Sequence, residues 1–106
     1  MSALIRGRVI WFELGDLGRK LAAVVSNDAR NRALGSALVA RITTSSKPPL
    51  RSIVELIPAD PVSGRVLCDD LIEIYDEEVL KDAGPLTAAT LRAVEAALMY
   101  ALGISG

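Results

Sequence analysis

Two short apolar runs, Leu21–Ser26 and Ala37–Thr43, flank a polar segment and set the pattern of the chain. Strand side chains alternate faces, so Lys20, Ala22, Val24 and Ser26 share one side of the first run. Ala37, Val39, Arg41 and Thr43 share one side of the second. Leu21–Ser26 is apolar on both faces, as a central strand covered from both sides would be. Laid side by side in one sheet, the two runs bring Lys20, Arg41 and Thr43 onto one concave surface. Two phosphate-seeking cations and a hydroxyl would then stand together.

The flanking pattern predicts the remaining elements. Leu4–Leu14 reads as a first strand, because Val, Ile, Trp and Phe suit a pleated surface, and a short Gly-containing turn follows it. Asn27 and Asp28 stop the next strand and supply a cap for a helix over Ala29–Leu34, which Gly35 ends. Arg30 and Arg32 read as solvated helix charges. Pro48 and Pro49 keep the loop after Thr43 extended. Ser52–Pro58, Val66–Cys68 and Asp70–Tyr75 read as strands, and Asp76–Lys81 as a helical turn. Asp69 and Asp70 read as turn or edge residues ahead of hard-metal ligands, since adjacent strand carboxylates point to opposite faces. Thr87 caps the clearest helix, where Leu91, Val94, Leu98, Ala101 and Leu102 recur at helical spacing before Gly103. The predicted fold is α+β and mainly β: a small SH3-like barrel of antiparallel strands with an inserted short helix and a C-terminal helix. Residues 1–106 read as one domain.

Composition narrows the chemistry. The 106 residues are 51% hydrophobic but only 4% aromatic, so the core is expected to be aliphatic, with apolar surface left over for a subunit interface. The sequence has no histidine, which excludes a Ser-His-Asp triad and imidazole metal ligands. One cysteine, Cys68, makes no internal disulfide or thiolate cluster. No apolar run reaches the ~20 residues of a membrane span, and the start lacks the apolar region of a signal peptide, so a cytoplasmic protein without cofactor or metal is expected. Net charge is −1, unevenly spread: up to Pro58 nine cations oppose four anions, and beyond it three oppose nine. A basic half and an acidic half predict an anion-binding face with a differently charged flank; the alternative is a sheet surface that is merely basic.

A family resemblance adds to this reading. Arg6-Gly7 with Val9 and Trp11, then AAVVSNDARNRALG, then ALVARITT, VLCDDL and the closing LTAATLRAVEAALMYALGI resemble, in order and over nearly the whole chain, the MazF/PemK toxin endoribonucleases. The resemblance implies a β-barrel shared with the CcdB toxin, a homodimer, and an antitoxin partner with an acidic segment. It also implies metal-independent cleavage of single-stranded RNA by 2′-hydroxyl attack, leaving 2′,3′-cyclic phosphate and 5′-hydroxyl ends. The family's catalytic arginine and threonine fall on Lys20 and Thr43. The usual Arg-Pro is here Lys20-Leu21, which keeps the charge but loses the planar fork that holds phosphate bidentately. Arg19, Arg41, Thr44, Lys47 and Arg51 are the expected RNA-binding residues, with Arg41 the candidate to supply the missing contact. Two further readings stay open: a same-fold toxin that binds a protein target such as gyrase, and an RNA-binding relative without activity.

Overall fold

The computed structural model describes residues 3–105. Six antiparallel strands form one sheet: β1 (Arg8–Glu13), β2 (Arg19–Val24), β3 (Ser36–Thr43), β4 (Ile53–Glu55), β5 (Arg65–Tyr75) and β6 (Val79–Pro85). Two α-helices, α1 (Asp28–Leu34) and α2 (Ala88–Leu102), and two 3₁₀ turns, Gly15–Leu17 and Asp76–Glu78, complete the elements among the described residues. The strand order is β4-β5-β3-β2-β1-β6. Three strands therefore stand between β5 and β6, yet only the 3₁₀ turn Asp76–Glu78 joins them. Such a short link forces the sheet to curl into an open barrel.

The curl creates two apolar layers. One face buries Ile10, Phe12, Ala22, Val24, Ala37, Val39 and Ile74, with Leu4 packed among them. The other buries Val9, Ala23, Ala40, Ile42, Val66 and Cys68 beneath Leu86 and the α2 residues Val94 and Ala97. The central strands are apolar on both faces because both faces are covered. Each fully buried side chain of the size of Val or Phe contributes roughly 1.5–3 kcal/mol.

Both helices are capped by residues their sequence offers, and α1 starts at Asp28, one residue ahead of the expected Ala29. The Asn27 side chain accepts from the Ala29 and Arg30 amides at 2.8 and 3.1 Å, while Asp28 accepts from the Arg6 amide at 2.7 Å. Thr87 accepts from the Thr90 amide. Gly35 and Gly103 end the helices in the left-handed conformation.

Several boundaries differ from expectation. The first strand starts at Arg8, because Leu4 to Gly7 form a turn in which Arg8 N–H reaches the Ile5 carbonyl. The strand expected over Ser52–Pro58 shortens to Ile53–Glu55, since from Ile57 the backbone is drawn into a turn closed by Asp60. Val66–Cys68 and Asp70–Tyr75 are one strand with a bulge, where the register jumps from Leu67 to Leu71 opposite Arg41 and Ala40. The helical turn expected over Asp76–Lys81 stops at Glu78, and Val79–Pro85 instead pairs with β1 as an edge strand. Leu102, placed on the inward stripe of the last helix, is 57% exposed. Arg30 is not a solvated charge: it pairs with Glu73 and donates to the Ser36 carbonyl at 3.0 Å.

The charge halves do not stay apart either. Arg6–Glu95, Arg8–Asp82, Arg30–Glu73 and Arg41–Asp70 are ion pairs that each join the basic half to the acidic one. Folding sets the halves against each other, so the basic surface is what those pairs leave over. No helix among the described residues is long and apolar enough to cross a membrane.

Candidate functional site

The pairing of β2 with β3 sets Leu21 opposite Ile42 and Ala22 opposite Arg41. Continued by one residue, that register puts Lys20 opposite Thr43, at the end of both strands. Directly opposed residues share a face, so Lys20, Arg41 and Thr43 occupy the same side of the sheet, the side that buries Ala22 and Val39. Arg41 and Thr43 are two residues apart, about 7 Å along the strand.

Each of the three is held differently. Lys20 is partly exposed, and its ammonium has no ion pair or hydrogen bond among the described residues. The Thr43 hydroxyl oxygen accepts from the Ser45 amide at 3.1 Å, which leaves its own O–H proton free to donate. Arg41 is not free: Nη1 donates to Asp70 Oδ2 at 3.2 Å, and Nε is buried without an acceptor among the described residues. Glu55 is engaged by Arg65, and Asp28 accepts from the Arg6 amide. The β5 bulge brings Asp70 to Arg41's side, while Asp69 accepts from the Ser52 hydroxyl. Among the described residues no three His, Cys, Asp or Glu side chains gather as a metal site requires.

The other basic candidates divide. Arg19 is exposed and faces away from Lys20, opposite Glu13. Thr44 and Lys47 are exposed in the loop that follows Thr43. Arg51 turns toward α2, with its guanidinium carbon 4.5 Å from the Tyr100 ring centre. It is not brought to the Lys20–Thr43 end.

Two residues with no role in the sequence reading support this end. Gly64, at φ +124°, comes so close to Thr43 that a Cβ there would lie 2.5 Å from the Thr43 carbonyl oxygen. Arg65 holds Glu55 through Nε at 2.8 Å and donates through Nη1 to the Ser45 carbonyl at 3.2 Å. It fixes the backbone just beyond Thr43. The Gly64-Arg65 pair before an apolar run was the available signal, but only the cross-strand partner gives it meaning. Cys68 is no nucleophile: burial, with the nearby Asp69 charge, pushes its thiol up to about 11.

A curled antiparallel sheet, with one long helix on its outer face and unpaired cations at an open strand end, defines a small β-barrel protein with a basic rim. Residues 5–102 match the family model described as PemK-like, MazF-like toxin of type II toxin-antitoxin system. The chain belongs to that family. Endoribonuclease MazF4 of Mycobacterium tuberculosis is 35% identical over 104 residues, covering 98% of this chain and 97% of the relative. Probable endoribonuclease MazF5 of the same species is 34% identical over 108 residues, covering 99% of each. Among solved structures, an endoribonuclease in complex with its cognate antitoxin from a mycobacterial species aligns with a TM-score of 0.90 at 33% identity, covering 96% of this chain and 97% of that one. A MazE–MazF complex from Deinococcus radiodurans aligns with a TM-score of 0.80 at 26% identity, covering 94% and 95%.

Proposed function

We propose that the chain is the toxin of a toxin–antitoxin pair, a single-domain endoribonuclease that cuts single-stranded RNA in the cytoplasm at the Lys20–Thr43 end. The observation that carries this is the register of β2 on β3, which sets an unpaired ammonium opposite a hydroxyl with a free proton. The endoribonuclease names of the relatives support the same reading.

The mechanism needs no histidine. RNA carries its own nucleophile, the 2′-hydroxyl, which gives up its proton to solvent and attacks the adjacent phosphorus as the bond to the 5′-oxygen breaks and that oxygen takes a proton from water. The protein must hold the three groups in line and stabilise charge on the phosphoryl oxygens. Lys20 supplies a positive charge and Thr43 donates its O–H to an oxygen. Arg41 can add a second cation once its hold on Asp70 loosens. Products are a 2′,3′-cyclic phosphate and a 5′-hydroxyl. An acidic antitoxin segment that folds on binding competes with RNA for the basic rim, and its grip weakens as salt rises.

The test is incubation of pure protein with RNA in the presence of a chelator. Cleavage with cyclic-phosphate ends is expected, and Lys20→Ala and Thr43→Ala should each slow the single-turnover rate by ~10²–10³. RNA left intact at stoichiometric protein overturns the reading. A folded Thr43→Ala variant cutting at the full rate removes this mechanism.

A further inference from the structure

Across the sheet from Lys20, Trp11, Arg19, Leu80 and Lys81 line a cleft of about 420 Å³. The register explains its make-up. Trp11 lies opposite Leu21 on one side and Lys81 on the other, while Glu13 faces Arg19, so Trp11, Arg19 and Lys81 belong to one face. Between Trp11 and Phe12 the partner position in β6 jumps from Lys81 to Val79, which leaves Leu80 as an extra residue in the edge strand. A bulge of this kind re-aims a side chain, and Leu80, 47% exposed, joins the cleft. Arg19 and Lys81 are both exposed and have no acceptor among the described residues, not even Glu13.

We propose that this cleft is a base-stacking subsite for single-stranded RNA, holding a nucleobase against Trp11 while Arg19 and Lys81 meet the flanking phosphates. An indole with two free cations beside it is the pairing that single-strand binders use, because every base has a π-face and every linkage a charge. Continuity with the candidate site favours RNA as the occupant: Arg19 and Lys20 are consecutive, so a strand leaving Lys20 over the rim reaches Arg19 next. A peptide adding to the β6 edge is disfavoured, since the Leu80 bulge breaks the ladder and Lys81 stands on the edge. The subsite rests on the ribonuclease reading and extends the RNA path to a second face.

Trp11 is the one tryptophan of the sequence, so its fluorescence reports the cleft directly. The titrant is a single-stranded oligonucleotide with 2′-O-methyl sugars, which cannot be cut, followed by Trp11 emission and by anisotropy of a label on the oligonucleotide. Base-bearing RNA should quench Trp11, an abasic oligonucleotide of the same length should quench it far less, and Lys81→Ala should weaken binding several-fold. The slope of log affinity on log salt should fall by about 0.7 for that lost phosphate contact. Binding by anisotropy with no change in Trp11 emission and an unaltered Lys81→Ala slope overturns the subsite and leaves the ribonuclease reading standing. Quenching by an acidic Glu/Leu-rich peptide but not by bound RNA also overturns it, in favour of a peptide site. Absence of any RNA binding removes both readings.

Discussion

Arg41 Nη1 lies 3.2 Å from Asp70 Oδ2, and this one contact governs how much positive charge stands beside Thr43. The pair is monodentate and partly exposed, with side-chain accessibilities of 27% and 37%. Exposed pairs of this kind contribute only ~0–1 kcal/mol, so a phosphate can take Asp70's place. Asp70→Asn keeps the shape and removes the competing charge. It is expected to tighten binding of uncleavable RNA several-fold at low salt, with little change in thermal stability. Arg41→Ala combined with Asp70→Asn should erase the gain; if the gain survives, Asp70 acts through another group.

Lys20→Arg restores the planar fork that the family arginine offers. It is expected to hold or raise the single-turnover cleavage rate. A large fall in rate, in a variant with unchanged melting temperature, would take Lys20 away from the phosphate.

Gly64 can be tested by contrast with Gly103. Both have positive φ, but nothing lies within 4 Å of a Cβ at Gly103, whereas at Gly64 it meets the Thr43 carbonyl. Gly64→Ala should therefore cost more stability than Gly103→Ala, the latter paying only the ~1–2 kcal/mol of left-handed strain. Because Thr43 must shift, Gly64→Ala should also lower the cleavage rate. Equal melting temperatures and equal rates for the two variants would contradict the close approach.

Asp60 fastens the turn after β4 to the start of α2. Burial raises its pKa, but N–H donors from Ile57 and Thr87 and the Thr90 hydroxyl outweigh that and hold it below the usual carboxylate value. A depressed folded pKa means stability present above the unfolded value and lost as pH falls through the folded one. Asp60→Asn is expected to cost about 1–3 kcal/mol at neutral pH. Its deficit relative to wild type should shrink as pH falls from the ordinary carboxylate value of about 4, where the unfolded chain takes up its proton, toward the lower folded one. Melting curves at several pH values measure this; a deficit that grew in acid would refute the direction.

Apolar side chains left exposed along and beyond the end of α2, namely Tyr100, Leu102 and Ile104, are expected to be covered in a homodimer. Light scattering at micromolar concentration should give twice the 11.2 kDa chain mass, and Leu102→Asp should reduce it. A wild-type monomer at that concentration would leave this surface without a partner.

Much of the fold was legible because its signals are local. Asn27, Gly35, Thr87 and Gly103 bound their helices by side-chain and backbone chemistry that acts over three or four residues. The strands β2 and β3 were readable for the same reason, as apolar runs with clear stops. Residues Val79–Pro85 were not: with Lys81, Asp82, Gly84 and Pro85 they carry little strand propensity, and only pairing with Arg8–Phe12 makes them a strand. The site followed the same division. Alternation was enough to put Lys20, Arg41 and Thr43 on one face. Nothing near Arg41 in sequence announces Asp70, which is delivered by a bulge on another strand, or separates Arg51 from the rest by stacking it on Tyr100.

Lys20 and Thr43 are made early, but the sheet that holds them is finished late. The outer edge of β1 is satisfied only by residues Val79–Pro85, and its other face is sealed by a helix that ends at Leu102. A nascent chain thus displays the full set of candidate residues well before it has a barrel to fix them. A fragment ending at Tyr75 is expected to be unfolded and unable to cut RNA. For an endoribonuclease, competence then arrives only once the residues up to Leu102 have been made, and a message broken ahead of the Val79 codon is expected to encode an inactive product.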